Sequence, residues 1–215
     1  MSEDRSALAH QFHSLEQQFE ASRLGMWLFL ATEVMFFGGV FTALSVYHSS
    51  YARIFDEASR HLDLTLGAIN TAVLISSSFT MAMAARSAQL GEQRRLGGYL
   101  AATIALGSLF LAIKFTEYFH KFEEHLVPGL HFSYPGPEAP RAQLFFSFYF
   151  TLTGLHALHM VIGVGILLVL LGGAARGRYS SLYHSPVELS GLYWHFVDIV
   201  WIFIFPLLYL PGLRH

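Results

Sequence analysis

Leu24-Gly25-Met26-Trp27-Leu28-Phe29-Leu30-Ala31-Thr32-Glu33-Val34-Met35-Phe36-Phe37-Gly38-Gly39 opens an apolar run that reaches Tyr47. Roughly 24 helical residues span about 36 Å, enough to cross a ~30 Å hydrocarbon core. One residue breaks the pattern: Glu33 lies roughly 14 Å past Leu24. A carboxylate in hydrocarbon is costly, so Glu33 must be neutral, paired, or turned to a polar interior. An acid at that depth is either a functional group or a structural one bonded to a neighbouring helix.

The composition extends this reading to the whole chain. Of its 215 residues 53% are hydrophobic, 15% aromatic and 13% charged, against about 25% charged in an ordinary soluble domain. The twenty Phe, ten Tyr and three Trp suit long spans with aromatic ends. A net charge of -2 leaves no basic footprint for nucleic acid. The absence of cysteine excludes disulfides, thiolate metal sites and c-type haem attachment. No short apolar core with a small-residue cleavage site precedes Arg23, so the first span is expected to direct insertion itself.

Outward from the first span, residues 1–22 are polar but patterned. Leu8, Phe12, Leu15 and Phe19 recur at helical spacing, which predicts a short amphipathic helix on the membrane surface or on a neighbouring subunit. His10 and His13 share its face, but two imidazoles alone make a weak metal site. After a connection over 48–62, the second span is expected from Leu64 to Ala88. It carries Asn70 and Ser76-Ser77-Ser78, which suit close helix contact and hydrogen bonds across it. The third runs from Gly97 to Phe119. The long connection from His120 to Arg141 holds Pro128, Pro135, Pro137 and Pro140, which prevent a continuous helix. The fourth span covers Leu144–Leu171, with Gly172-Gly173 as its stop. The fifth starts at Ser185-Pro186-Val187-Glu188, read as a cap serine, a first-turn proline and a capping-box glutamate. It reaches Tyr209, with Pro206 expected to kink or end it.

The expected fold is therefore all-α, a polytopic membrane protein with a five-transmembrane-helix bundle over 23–215 after the amphipathic segment 1–22. Five spans put the termini on opposite sides. Arg5, Arg23, Arg86, Arg94, Arg95, Arg176 and Arg178 lie on one side, and Arg53, Arg60, Lys121, Arg141 and Arg214 on the other. That asymmetry favours a cytoplasmic N-terminus.

Phosphate-loop, H-E-x-x-H and G-x-S-x-G signatures are absent from the sequence, so the chemistry rests on ionisable groups within the spans. These are Glu33, Lys114, Glu117, His156, His159, His195 and Asp198. They could ligate haem or copper, form a proton or ion relay, or serve as internal glue and lipid-head contacts. Lys114 and Glu117 sit at i,i+3, the spacing of a pair on one helix face, and are expected to pair near the outer end of the third span, where Lys can snorkel. Rise per residue puts Glu33, His159 and Asp198 at about the same height, roughly 14–18 Å from the inner face. They are expected to face the interior or a lipid-lined cleft as one layer, with His156 and His195 as further members.

At this point the residues carry a resemblance. Residues 24–37 resemble the first span of the short subunit III proteins of haem-copper oxidases. Four blocks follow in matching order: Asn70-Thr71; Phe110 to Tyr118 with Lys114 and Glu117; Thr153-Gly154-Leu155-His156-Ala157-Leu158-His159-Met160; and Tyr193-Trp194-His195-Phe196-Val197-Asp198-Ile199-Val200-Trp201. The chain is similar to cytochrome c oxidase subunit III in its five-helix bacterial form. The resemblance implies a cofactor-free accessory subunit, with haem and copper held by subunits I and II. It implies packing on subunit I, phospholipid in a cleft, and association with sustained turnover, proton uptake and oxygen access, in a bacterial plasma membrane and within reach of a larger respiratory supercomplex. Glu33 sits at the family's buried glutamate, His156 and His159 at its histidine pair, and His195 and Asp198 in its last-helix motif. Longer relatives carry two further N-terminal helices that form one wall of the lipid cleft, and residues 1–22 are too short and polar to replace them. The competing functions are a subunit of a quinol oxidase or a nitric-oxide-reductase-associated homologue, an independent transporter, and a membrane haem cytochrome. The lack of a repeat and of paired broken helices opposes the transporter.

Overall fold

The computed structural model describes residues 13–129, 131–181 and 183–213. Its helices are α1 (Leu15–Ser50), α2 (Ala52–Ser59), α3 (Leu64–Gln89), α4 (Gln93–Glu123), α5 (Ala139–Ala175) and α6 (Ser185–Tyr209), and a 3-10 turn follows at Pro211–Leu213. All but α2 and the turn are long and apolar enough to cross a membrane. The five-span all-α expectation is met.

The ends differ from the expectation in instructive ways. The amphipathic segment is not a separate helix at its C-terminal part, because α1 runs unbroken from Leu15 into the span. Ser14 caps it, its Oγ accepting from Gln17 N–H at 3.1 Å, while Gln17 Oε1 accepts from His13 N–H at 2.9 Å. This resembles a capping box, except that the returning Gln17 bond reaches His13, one residue before the cap, and no Gly or Pro lies between it and Leu24 to stop the helix. Leu8, His10 and Phe12 lie outside the described residues, as does Arg214. The connection over 48–62 contains α2, whose Ile54, Phe55 and Ala58 turn inward. Pro140 does not interrupt anything: it lies in the first turn of α5, where a missing N–H costs nothing. Gly172-Gly173 does not stop α5, which continues to Ala175. Gly173 instead admits Tyr179, whose Oη would sit 2.6 Å from a Cβ there. The N-cap of α6 is His184 rather than Ser185, and it makes no side-chain cap bond. Pro206 neither ends α6 nor shortens it, since the helix runs three residues further.

Helices α3 to α6 form a closed ring in which α3 lies beside α4 and α6, and α5 beside the same two. Lipid chains are as apolar as leucine, so packing here rests on close fit and hydrogen bonds rather than on exclusion from water. The fit is visible on α3, whose inward stripe Gly67, Asn70, Leu74, Ser77, Met81, Ala84 and Ala88 is mostly small. Opposite it, Thr103 of α4 bonds Thr80 at 2.8 Å. The ring is filled from α6. Trp194 is threaded between α4 and α5, where Cβ atoms on Gly107 and Gly163 would meet its ring at 2.7 Å and 3.0 Å. Two turns on, Trp201 stands edge-on to Phe110 at 4.8 Å and donates its Nε1–H to Thr71 at 3.0 Å.

Helix α1 stands outside the ring. It touches α6 and, more lightly, α5, through the buried stripe Leu30, Phe37 and Leu44, one side chain per two turns. At its end, α2 folds back to close the bundle. Ser59 Oγ donates to the Leu208 carbonyl at 2.7 Å and accepts from Gly212 N–H at 3.1 Å. One hydroxyl thus serves an orphan carbonyl of α6 and the turn after it.

Candidate functional site

The ionisable groups fall into four places. The first is a cage around Lys114. Its Nζ donates to Glu117 Oε2 at 2.9 Å, Tyr149 Oη at 3.1 Å and Tyr209 Oη at 2.8 Å. An ammonium has three donors, and all three are used. Tyr209 Oη–H in turn donates to Glu117 Oε1 at 2.7 Å, so both carboxylate oxygens accept. The rings of Tyr118, Tyr149, Trp201 and Tyr209 stand 4.8–5.5 Å from Nζ, close enough for cation–π attraction. Both charged side chains are 2% exposed. Lys114 does not snorkel outward as the sequence suggested. It turns into the ring because α5 and α6 bring two tyrosines to its height, and the pair is held by three helices rather than by one face of α4.

The second place joins α1 to α5. His159 Nε2 lies 3.3 Å from Glu33 Oε2, and both side chains are largely covered, with Phe37 edge-on to the imidazole at 5.4 Å. The tautomer follows from the other nitrogen. His159 Nδ1 lies 2.8 Å from the Leu155 carbonyl, which can only accept, so Nδ1 carries a proton. Nε2 of a neutral ring would then be an acceptor facing an acceptor. At 3.3 Å the approach is not in hydrogen-bond geometry, and Glu33 Oε2 has no hydrogen bond among the described residues; a single proton on Nε2 or on Oε2 would turn the contact into a neutral pair.

The third is His156, which lies inside the ring between Phe110 and Trp201 at 5.3 Å and 5.1 Å. It is 1% exposed, and neither nitrogen has a hydrogen bond among the described residues. It does not join the Glu33–His159 pair, although it is one turn away on α5.

The fourth lies between α3 and α6. His195 Nδ1 is 2.7 Å from Ser78 Oγ, and Asp198 stands one turn on, 4% exposed. Ser78 flanks the Asp198 carboxyl, yet neither carboxyl oxygen is in hydrogen-bonding geometry with any described residue. The layer expected from equal heights is thus divided. Glu33 and His159 meet, whereas Asp198 and His195 face α3 on another seam of α6. Equal depth fixes no azimuth around a helix.

Sequence reasoning named Lys114 and Glu117 but missed Tyr149 and Tyr209, which complete their shell. A signal existed: Tyr149 near the start of α5 and Tyr209 at the end of α6 fall at the height of Lys114 once helix directions are set. Among the described residues no three His, Asp or Glu side chains are arranged to hold a metal ion.

Residues 7–213 match the family model of cytochrome c oxidase subunit III. The chain belongs to the cytochrome c oxidase subunit III family. It is 37% identical over 187 residues to cytochrome c oxidase subunit 3 of Synechocystis sp., covering 86% of this chain and 74% of that one. It is 31% identical over 188 residues to the subunit 3 of Thermostichus vulcanus, covering 87% and 86%. The subunit 3 of Latimeria chalumnae is 33% identical over 208 residues, covering 93% and 73%. The fold and the family together make the chain a multi-pass membrane subunit III of a haem-copper oxidase, part of an oxidoreductase complex with other oxidase subunits.

Proposed function

We propose that this subunit III is a cofactor-free accessory subunit that carries no catalysis of its own and supports subunit I by stabilising the complex, binding phospholipid, and assisting proton uptake or oxygen access. In this reading it sits in a bacterial plasma membrane beside subunits I and II, with residues 1–22 on the cytoplasmic surface and the C-terminus on the outer face. Residues 23–215 form the oxidase-type domain. Haem and copper belong to the partner subunits.

The observation that carries the proposal is the Glu33–His159 contact at 3.3 Å. With one proton shared between them the two side chains would form a neutral pair, placed where the outlying α1 meets α5. Such a pair can pass a proton without exposing a charge to hydrocarbon. Its two forms differ only in which atom bears the proton. The Lys114–Glu117 cage has less freedom, because all three ammonium donors and both carboxylate oxygens are engaged; we assign it a structural role, and give His156, His195 and Asp198 no part in the proton step.

The test is Glu33→Gln in the assembled oxidase. An amide cannot exchange a proton with His159 but keeps the shape and an acceptor. The subunit should stay in the purified complex while the oxidase loses activity faster over successive turnovers. Loss of the subunit from the complex, with turnover normal per assembled enzyme, would assign the pair to assembly alone.

A further inference from the structure

Lys114 and Glu117 satisfy each other and two tyrosines. Glu33 has His159. His156 is unpartnered but sealed, with Phe110 and Trp201 against its ring. Asp198 is different: it is 4% exposed, has no hydrogen bond from the described residues, and lines a crevice of about 330 Å³ between α3 and α6. Ile75 and Ile199 form the lips of that crevice and are 56% and 51% exposed.

We infer that the Asp198 crevice is the docking site of a transmembrane helix from another oxidase subunit, which inserts a hydrogen-bond-donating side chain toward the carboxyl. The inference rests on the oxidase-subunit reading above. A carboxyl in either protonation state keeps at least one oxygen that only accepts, so its partner must bring a donor. Acyl chains bring none. A lipid headgroup is also at the wrong depth: Asp198 lies thirteen residues after Ser185 and eleven before Tyr209 on α6, hence about 20 Å and 16 Å from the two ends. Among the described residues no helix packs over it, for α1 lies against α6 and α5. The side chains already at the site cannot satisfy both oxygens: Ser78, shared with His195, has one hydroxyl proton to give, and Thr71 spends its own on the Gly67 carbonyl. An incoming Arg, Lys, Trp, Tyr, Asn or Gln would find one open acceptor within an apolar rim. Phe79, one turn from Ile75 and 66% exposed, extends that rim along α3.

The experiment uses the oxidase complex purified through this chain. A photoactivatable phenylalanine analogue is placed at Ile75 or at Ile202, with Val169 of α5, 74% exposed, as a control on another face. Adducts from Ile75 and Ile202 should fall on one helix of another oxidase subunit, around a residue with a donor side chain, and the Val169 adducts should not. In Asp198→Leu the Ile202 adduct should drop about tenfold or more, the loss of one hydrogen bond to a charged or acidic group. Adducts only to lipid or to a second copy of this chain, in a complex that contains a haem-bearing subunit, would overturn the docking site and leave the oxidase-subunit reading standing. A preparation without any haem-bearing partner would overturn both. An unchanged Ile202 adduct in Asp198→Leu would refute the role of the carboxyl.

Discussion

The Lys114 cage offers a sharp thermodynamic test, because removing one charge and removing both should have opposite consequences. In Lys114→Met, Glu117 keeps only its bond from Tyr209, and its Oε2 and the Tyr149 hydroxyl lose the lysine. In Glu117→Leu, an ammonium 2% exposed loses its counter-charge and keeps two phenols. Stranding one member of a buried pair costs about 3–5 kcal/mol. Replacing both by apolar groups is often neutral or stabilising by about 1–4 kcal/mol. The neutral bonds are worth less, since cross-helix hydrogen bonds in a bundle average about 0.6 kcal/mol. Tyr149→Phe should therefore cost about 1 kcal/mol or less, and Tyr209→Phe, which loses bonds to both charges, about 1–3 kcal/mol. The double variant Lys114→Met with Glu117→Leu should lie within about 2 kcal/mol of the parent, giving a coupling of several kcal/mol. The assay is unfolding of the subunit in mild detergent with added denaturing detergent, followed by Trp fluorescence, since Trp201 stands beside the cage. Single variants that each cost below about 1 kcal/mol, or a double variant equal to their sum, would refute the reasoning: the pair would then be hydrated.

Other outcomes are equally specific. Gly107→Ala and Gly163→Ala place a Cβ at 2.7 Å and 3.0 Å from Trp194. Each should lower stability by about 1–3 kcal/mol in the same unfolding assay, while Gly98→Ala, with open space around it, should not. Ser59→Ala strands the Leu208 carbonyl and the Gly212 N–H. It should cost about 1–2 kcal/mol and speed proteolysis of the C-terminal residues, and equal cleavage rates would refute the lock. His159→Leu leaves Glu33 without the imidazole that faces it at 3.3 Å, so the carboxyl bands in infrared spectra should differ from the parent's. An unchanged spectrum would show that the imidazole holds no share of the proton.

The five spans were legible because each is a long apolar run between polar or Pro-rich segments. Helix ends were less so. The Ser14 cap was readable in Ser14-Leu15-Glu16-Gln17, but the polar residues after it look like a surface segment rather than the first turns of a span. Helix α2 hides in a connection because its apolar Ile54, Phe55 and Ala58 make a pattern too short to separate from noise. The site was half legible. Spacing along α4 put Lys114 and Glu117 on one face, and rise per residue put Glu33 and His159 at one depth. Neither spacing nor depth states the rotation of a helix about its axis. In a soluble helix the polar face supplies that phase; a helix apolar all round supplies almost none. That is why Lys114 was expected at the headgroups, and why Asp198 was expected beside Glu33 when it faces α3.

The outlying place of α1 also bears on how the protein is made. Helix α1 is made before the helices it packs against, for its seam is built from α5 and α6. Glu33 precedes His159 by 126 residues, about 6–25 s of synthesis at the usual ~5–20 residues per second. For that interval Glu33 lies in the bilayer without the imidazole that faces it in the finished subunit, an acid whose isolation in hydrocarbon is costly.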